Sequence, residues 1–273
     1  MKPGLEPCTD IGANLLHKQF DSDREEVIAR ANAAGVTRLL ITCTDLSESA
    51  RGIEFCRGRP EAVWCTAGVH PHDAKDVEAG WLARLADLAD NPEVAALGEM
   101  GLDFNRNFSP PEQQIEVFRS QLETAAALGK PVFVHDRDSN GQVFELLNNY
   151  ASELAGVVVH CFTGTGGDLA HYLEAGFYIG ITGWLCDKRR GQPLRDLVPD
   201  IPMQQLLVET DAPYLRPHNA PAALNATDKR RNEPALLRCV IEKIAELTGH
   251  RPAQIARASH ENASVLFGLP EHG

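Results

Sequence analysis

The feature that most limits the fold is a repeated alternation along all 273 residues: short apolar runs rich in Val, Ile and Leu, separated by longer segments of helical spacing. The runs are Val36–Cys43, Val63–Val69, Val94–Leu102, Pro131–His135, Val157–Phe162, Phe177–Trp184 and Leu206–Glu209, with a weaker first one near Cys8–Gly12. Near-continuous apolar runs are what strands buried on both faces require, as in a parallel sheet. Between them, Arg24–Ala34 presents Val27, Ile28 and Ala31 on one face, and Glu112–Leu128 spaces Ile115, Phe118, Leu122 and Ala125 at three and four. Ser109-Pro110-Pro111-Glu112 predicts an N-cap serine with early prolines, and Gly129 predicts the stop. Further helices are expected around Glu233–Leu247 and Pro252–Leu266. Eight strands alternating with helices predict an α/β fold, a single (β/α)8 TIM barrel over residues 1–273. An open doubly wound sheet has the same alternation, and periodicity alone does not separate the two. No Gly/Ser-rich linker or composition shift marks a second domain.

A chain of this length buries a large core without disulfides or a structural metal, so a metal here is expected to serve chemistry. The seven cysteines are odd in number and show no C-x-x-C spacing, which suits reduced thiols in a cytoplasmic protein. Residues 1–10 lack the basic and apolar regions of a signal peptide, and no apolar stretch approaches the roughly 18 residues of a membrane span. The net charge of −12 opposes a nucleic-acid partner in bulk. Bulk charge is not local charge, however: Lys188-Arg189-Arg190 and Lys229-Arg230-Arg231 are compact basic clusters, although each taken alone reads first as a solvated loop or helix end.

The chemistry is expected at the strand tips. Asp10, His70, His72, Glu99, Asp103, His135, His160 and Asp211 each fall at or just after the end of an apolar run. In a barrel these tips converge on the face that carries active sites. Any one histidine there reads first as a hydrogen-bonded rim residue. Two His and two carboxylates from four strands together make a divalent-metal site. His17, His171, His250, His260 and His272 lack that setting and are read as surface or structural.

At these positions the sequence resembles the TatD family of metal-dependent DNases. The resemblance is carried by Asp10-Ile11-Gly12-Ala13-Asn14-Leu15, Ala67-Gly68-Val69-His70-Pro71-His72, Gly98-Glu99-Met100-Gly101-Leu102-Asp103-Phe104, His160-Cys161-Phe162-Thr163-Gly164, Gly180-Ile181-Thr182-Gly183-Trp184, Glu209-Thr210-Asp211-Ala212-Pro213-Tyr214 and Arg231-Asn232-Glu233-Pro234. It implies an amidohydrolase-like barrel and a 3′-to-5′ deoxyribonuclease dependent on one or two divalent ions. Glu99, His135, His160 and Asp211 match the positions of metal ligands. Many family members carry a His-x-His pair at the first strand; this chain has Gly12 and Asn14 there, a loss shared by one branch of the family. A second metal site is then weak or incomplete, and Asp10 reads equally as an assisting ligand or as a hydrogen-bonded strand end.

Phosphodiester hydrolysis requires an activated water and charge stabilisation, which a divalent metal supplies. Asp211 is the expected general base, and Glu99 a ligand that bridges two ions where two are present. His70 and His72 are read as phosphate or metal-water contacts, and Arg106 and Arg137 as phosphate clamps or, equally, as surface salt-bridge partners. Arg231 is read as a rim phosphate contact or a fold element, and Trp184 and Tyr214 as core packing or, from their place at the site face, as stacking platforms for an unpaired base. Imidazole ligands lean towards zinc or manganese, whereas the resemblance implies magnesium for activity. The expected substrate is single-stranded DNA, with RNA as a second, since a cup-shaped mouth admits a strand end; no membrane or obligate protein partner is indicated. Two other readings stand beside it: a metal-dependent hydrolase of a small ester, lactone, amide or aminoacyl ester, and a catalytically weak metal-binding interaction protein.

Overall fold

The computed structural model describes residues 5–221 and 230–270. Eight parallel strands lie in the order β1 (Cys8–Ala13), β2 (Val36–Ile41), β3 (Val63–Ala67), β4 (Val94–Asp103), β5 (Val132–Arg137), β6 (Val157–His160), β7 (Tyr178–Ile181) and β8 (Leu206–Val208), each hydrogen-bonded to the next. Helices α1 (Arg24–Ala33), α2 (Leu46–Arg57), α3 (Trp81–Ala89), α4 (Pro111–Leu128), α5 (Gln142–Tyr150), α6 (Gly166–Glu174) and α7 (Gln192–Leu197) fill the crossovers, and α8 (Leu237–Thr248) and α9 (Pro252–Phe267) follow β8. The seam between β8 and β1 closes near their C-terminal ends. Asp211 N donates to Gly12 O at 2.8 Å, Asn14 N donates to Ala212 O at 2.7 Å, and Ala13 bridges Ala212. The sheet is therefore a (β/α)8 barrel, not the open sheet that shares its periodicity.

Strand alternation divides the apolar side chains in two. Ile11, Leu40, Phe133, Val158 and Leu207 form a cluster with Ala263, Leu266 and Phe267 of α9. That helix closes the barrel end opposite the strand tips: a Cβ on Gly156, just before β6, would lie 2.5 Å from Leu266 Cδ1. The remaining core side chains pack the strands against the helical ring. The next inward residue on β5 and β6 lies two further along the chain, at the opposite end of the barrel from α9.

The expected elements are present with three local differences. The seventh apolar run ends as a strand at Ile181, because Thr182 Oγ1 accepts Trp184 N–H and starts a 3-10 turn over Gly183–Cys186. Ser109 does not cap α4. Its hydroxyl donates to His72 O at 2.7 Å and accepts Lys75 N–H at 3.1 Å, while Pro110 stands at the N-cap. The helix expected from Glu233 begins as a 3-10 turn, Pro234–Leu236, before α8, while Gly129 does end α4 at φ +61°. Glu233 itself is fully buried and paired with Arg30 at 2.7 Å. Among the described residues no helix is long and apolar enough to cross a membrane, and all seven cysteines are free.

Candidate active site at the barrel mouth

The side chains that follow the inward apolar layer build the site. On β5 the step from Phe133 is to His135, on β6 from Val158 to His160, and just past β8 from Leu207 to Glu209. Glu99 projects from β4, and His70 from the loop after β3. Three imidazoles converge on one oxygen, Glu99 Oε1: His135 Nδ1 at 2.8 Å, His160 Nε2 at 2.9 Å and His70 Nε2 at 3.4 Å. The candidate ligand atoms of His70, Glu99 and His135 lie within 4.8 Å of one another.

Hydrogen bonds distinguish the histidines. His70 Nδ1 accepts His72 N–H at 3.1 Å, so its neutral ring carries the proton on Nε2 and offers a donor, not a lone pair, to the centre. Burial lowers the His70 pKa, which keeps the ring neutral, although Glu99 pulls the other way. His160 is the reverse. Its Nδ1 faces Glu209 Oε2 at 3.0 Å, which leaves Nε2 for the centre once the ring is neutral. His135 Nε2 is buried without a hydrogen-bond partner.

The charges of the cluster depend on one another. Burial opposes ionisation of Glu99, but the imidazoles of His160, His70 and His135 hold its carboxyl well below the usual range. Burial also opposes a charged His135, yet the carboxylates of Asp103, 3.7 Å from Nε2, and Glu99 raise it to about 9. His160 rises well above its ordinary value because Glu209 and Glu99 outweigh its burial. Asp211 is pushed up to about 7 by burial, against the pull of His160 and with the carboxylates of Glu99 and Glu209 adding to it. A buried cluster of imidazoliums and carboxylates is the arrangement a divalent cation replaces, since metal ligation needs neutral imidazoles and ionised carboxylates. The donor set and the orphaned His135 nitrogen both fit such an ion.

Asp10 and Asp211 sit on opposite sides of the closing seam with different surroundings. Asp10 is buried and accepts Thr210 N–H at 2.9 Å, Thr210 O–H at 2.5 Å and Gly12 N–H at 3.3 Å, so both oxygens hold the seam. Of the two readings of Asp10, its contacts are those of a hydrogen-bonded strand end. Asp211 accepts a side-chain hydrogen bond from Asn14 Nδ2 at 2.9 Å and stands at φ +52°, a left-handed conformation that aspartate tolerates better than most residues. Asn14, at the first-strand ligand position, thus orients Asp211.

Glu209 is a site residue that tip-by-tip reading of the sequence overlooked. Besides His160 it accepts Cys161 N–H at 2.5 Å. Its carboxylate lies between Gly12 and Gly180, where a Cβ on either glycine would collide with its oxygens. The signal was there: Leu207-x-Glu209 repeats the two-residue step of Phe133-x-His135 and Val158-x-His160. Glu209→Gln is expected to keep the fold and to lower metal affinity or turnover about 10- to 100-fold, as for other outer-shell partners of ligating histidines. Metal titration beside kcat checks it; wild-type values in both would remove Glu209 from the site.

The other candidates are distributed around the rim. His72 Nε2 bonds Asp103 Oδ2 at 2.7 Å, and Asp103 also accepts the backbone N–H of Asn105 and Arg106, so Asp103 shapes the β4 loop. Arg106 is exposed and Arg137 half-buried, and neither guanidinium is bonded among the described residues. Tyr214 is 47% exposed and packs edge-on to His17 at 5.6 Å. Trp184 carries the Arg190 guanidinium over its ring at 4.2 Å. Arg231 is only 6% exposed, and its fork grips both oxygens of Asp23 at 2.6 and 2.7 Å and Gln19 O at 2.6 Å. Those contacts correct the rim reading of Arg231 in favour of the fold element, because burial and a bidentate partner direct its guanidinium inward. Lys229 lies outside the described residues.

A (β/α)8 barrel with histidines and carboxylates converging at the strand tips defines a metal-dependent hydrolase of the amidohydrolase-like class. The chain belongs to the TatD related DNase family, whose model matches residues 9–268. It is 49% identical over 263 residues to a 3'-5' ssDNA/RNA exonuclease TatD of Citrobacter rodentium, covering 95% of this chain and 97% of that one. The protein of the same name from Erwinia billingiae is 49% identical over 261 residues, covering 96% and 99%. Among solved structures, the TatD homolog YJJV of Escherichia coli superposes with a TM-score of 0.86 at 26% identity, covering 96% of this chain and 98% of that one.

Proposed function

We propose that this chain is a divalent-metal-dependent exonuclease that hydrolyses phosphodiesters from the 3′ end of single-stranded DNA, with RNA as a second substrate. The observation that carries this reading is the convergence of three imidazoles on Glu99 Oε1 beside Asp211, in a chain about half identical to proteins named 3'-5' ssDNA/RNA exonuclease. Glu99, His135, His160 and Asp211 hold the ion, with magnesium the ion of activity and zinc or manganese able to occupy the same nitrogen-rich set. Once bound, the ion supplies Lewis-acid polarisation of a phosphoryl oxygen and a more acidic water.

The chain's own residues do the rest. Asp211 Oδ1 accepts the Asn14 amide, which leaves Oδ2 to take the proton of the attacking water. Glu209 keeps the His160 proton on Nδ1, away from the centre. His70 Nε2–H donates to a non-bridging phosphoryl oxygen, while His72, whose Nε2–H is held by Asp103, lines the adjacent rim. Arg106 and Arg137 balance phosphate charge, while Tyr214 and Trp184 flank the strand end as aromatic surfaces. The chain acts as one barrel domain in the reducing cytoplasm, consistent with its free, largely buried thiols.

The test is cleavage of 3′- and 5′-labelled single-stranded oligonucleotides by metal-stripped protein given magnesium, manganese or zinc. Metal-dependent shortening from the 3′ end is the expected result. Absence of cleavage by folded protein with every ion would sink the nuclease reading and send the search to esters, lactones and amides.

A further inference from the structure

The ladder between β3 and β4 ends where Ala67 pairs Leu97, whereas β4 runs on to Asp103. Beyond that point the chain leaves β3 for the His70 loop, and backbone groups on both segments need other partners. Helix α4 supplies them. Gln114 and Gln121 stand seven residues apart, so two turns bring both side chains to one face of the helix. Both are fully buried. Gln121 Oε1 accepts Val69 N–H at 2.8 Å, and its Nε2 donates to Val69 O at 3.0 Å. Gln114 Oε1 accepts Asp103 N–H at 2.8 Å, and its Nε2 donates to Asp103 O at 3.3 Å and Ser109 O at 2.8 Å. A carboxamide offers an acceptor and a donor side by side, so each glutamine pairs with a peptide as a neighbouring strand would.

We infer that Gln114 and Gln121 are positioning residues that set the place and the proton of His70. The inference deepens the nuclease reading and rests on it for the task of His70. Two paths lead from α4 to that ring. The direct one is Gln121, which fixes both peptide groups of Val69, the residue just before His70. The longer one passes through His72. Gln114 holds Asp103, whose Oδ2 meets His72 Nε2 at 2.7 Å, and Ser109, whose hydroxyl donates to His72 O at 2.7 Å. His72 is thereby held by ring and backbone, and its own N–H donates to His70 Nδ1 at 3.1 Å. That bond keeps the proton of the neutral His70 ring on Nε2, which lies 3.4 Å from Glu99 Oε1. On its other flank His70 N–H donates to Thr44 O at 2.8 Å.

Packing alone does not call for glutamine here. The other buried residues of α4, Val117, Phe118, Leu122 and Ala125, are apolar. A buried carboxamide destabilises the fold unless its donor and acceptor are both matched, and here both ends are. All five bonds end on Val69, Asp103 or Ser109, each of which adjoins or bonds a histidine of the mouth. None is made to the helical ring. A group that donates to a reacting phosphoryl oxygen must be held closely, since a misplacement of about 1 Å lowers a rate by roughly 100-fold. Anchoring the His70 loop to a helix of 18 residues gives it the rigidity that a loop lacks.

The test uses the full chain loaded with magnesium. Gln121→Met and Gln114→Met keep an unbranched side chain of similar length and remove both hydrogen-bonding ends. Each is expected to lower kcat on a labelled single strand about 10- to 100-fold, with KM changed by less than about threefold. In a His70→Ala background the same substitutions should change kcat by less than about twofold, because the ring they place is gone. A packing role would give the same fold-loss in both backgrounds, and that result would overturn the inference. Ring 15N shifts of the histidines give a readout free of turnover. Wild-type His70 should show the Nε2–H tautomer and both variants a mixture; unmoved shifts in folded variants would also overturn it. Where a methionine variant does not fold, amide exchange in the wild type decides. Val69 and Asp103 N–H, outside the β3–β4 ladder, should exchange as slowly as ladder amides, and exchange at loop rates would rule out the two clamps. Wild-type protein that cleaves nothing would remove the nuclease reading, while the ring shifts still decide whether the glutamines hold His70.

Discussion

Glu99→Gln yields a folded protein that holds its divalent ion weakly and hydrolyses phosphodiesters at least about a thousandfold more slowly than wild type. The size of the effect follows from the position of one atom. Glu99 Oε1 receives His135, His160 and His70 at 2.8, 2.9 and 3.4 Å, so no other carboxylate among the described residues organises as much of the centre. Glutamine keeps the shape but removes the charge, and it can turn an amide N–H towards nitrogens that must present lone pairs to an ion. The loss should therefore exceed the roughly 10- to 100-fold typical of outer-shell changes. Elemental analysis after loading and dialysis, beside turnover on a labelled strand, checks both halves. Stoichiometric metal with wild-type turnover would contradict the assignment of Glu99 as a ligand.

Asp211→Asn is expected to separate binding from chemistry. The variant loses about 10²- to 10⁴-fold in kcat, the span of general-base catalysis, while KM for the strand changes far less. The wild-type pH profile carries the signature. Burial pushes the Asp211 carboxyl up to about 7, so below that pH it holds a proton and cannot accept another. Turnover should rise with pH through this limb, with the midpoint drawn downwards by a neighbouring cation, and the limb should be missing in the variant. Metal-free stability moves oppositely. Asp211 goes from an ordinary 3.8 to about 7 on folding, and His135 from 6.5 to about 9. The folded state binds more protons in both windows. Stability linked to Asp211 is thus lost as pH rises from about 4 to 7, and that linked to His135 from about 6.5 to 9. Divalent metal restores it at alkaline pH by favouring the deprotonated groups. Melting temperatures of stripped protein at about pH 6 and pH 9, with and without magnesium, read this directly; equal melting without metal would refute the charge assignment.

Much of this protein was legible in its sequence because two local periods carry the information. Parallel strands buried on both faces must be apolar throughout, and the helices between them must show one apolar stripe, so eight β/α units could be counted. Strand tips in a barrel point to one face, so His135, His160, Glu99 and Asp211 could be grouped before any contact was known. Glu209 was legible by the same rule, two residues beyond Leu207, but its carboxylate was read only as part of a motif. Local rules also misled. Ser109 has the right neighbours for an N-cap, yet its hydroxyl bonds the His72 loop. The run through Phe177–Trp184 has strand composition to its end, but the Thr182 side chain turns the chain after Ile181.

The barrel repeat, the polar tips and the family therefore follow from the order of the residues alone, whereas the task of each tip depends on the closed barrel. Asp10 and Asp211 look alike in the chain, but closure of the seam surrounds Asp10 with three donors and, among the described residues, leaves Asp211 with one side-chain hydrogen bond, from Asn14. Arg231 reads in the chain as either a phosphate contact or a fold element until folding sets it against Asp23, 208 residues away. The proton on His70 Nε2 and the lone pair left on His160 have the same origin. Backbone hydrogen bonding and burial impose periods that can be read locally. The partner of a buried polar group is set by where the closed barrel brings distant segments together, and no local pattern encodes that.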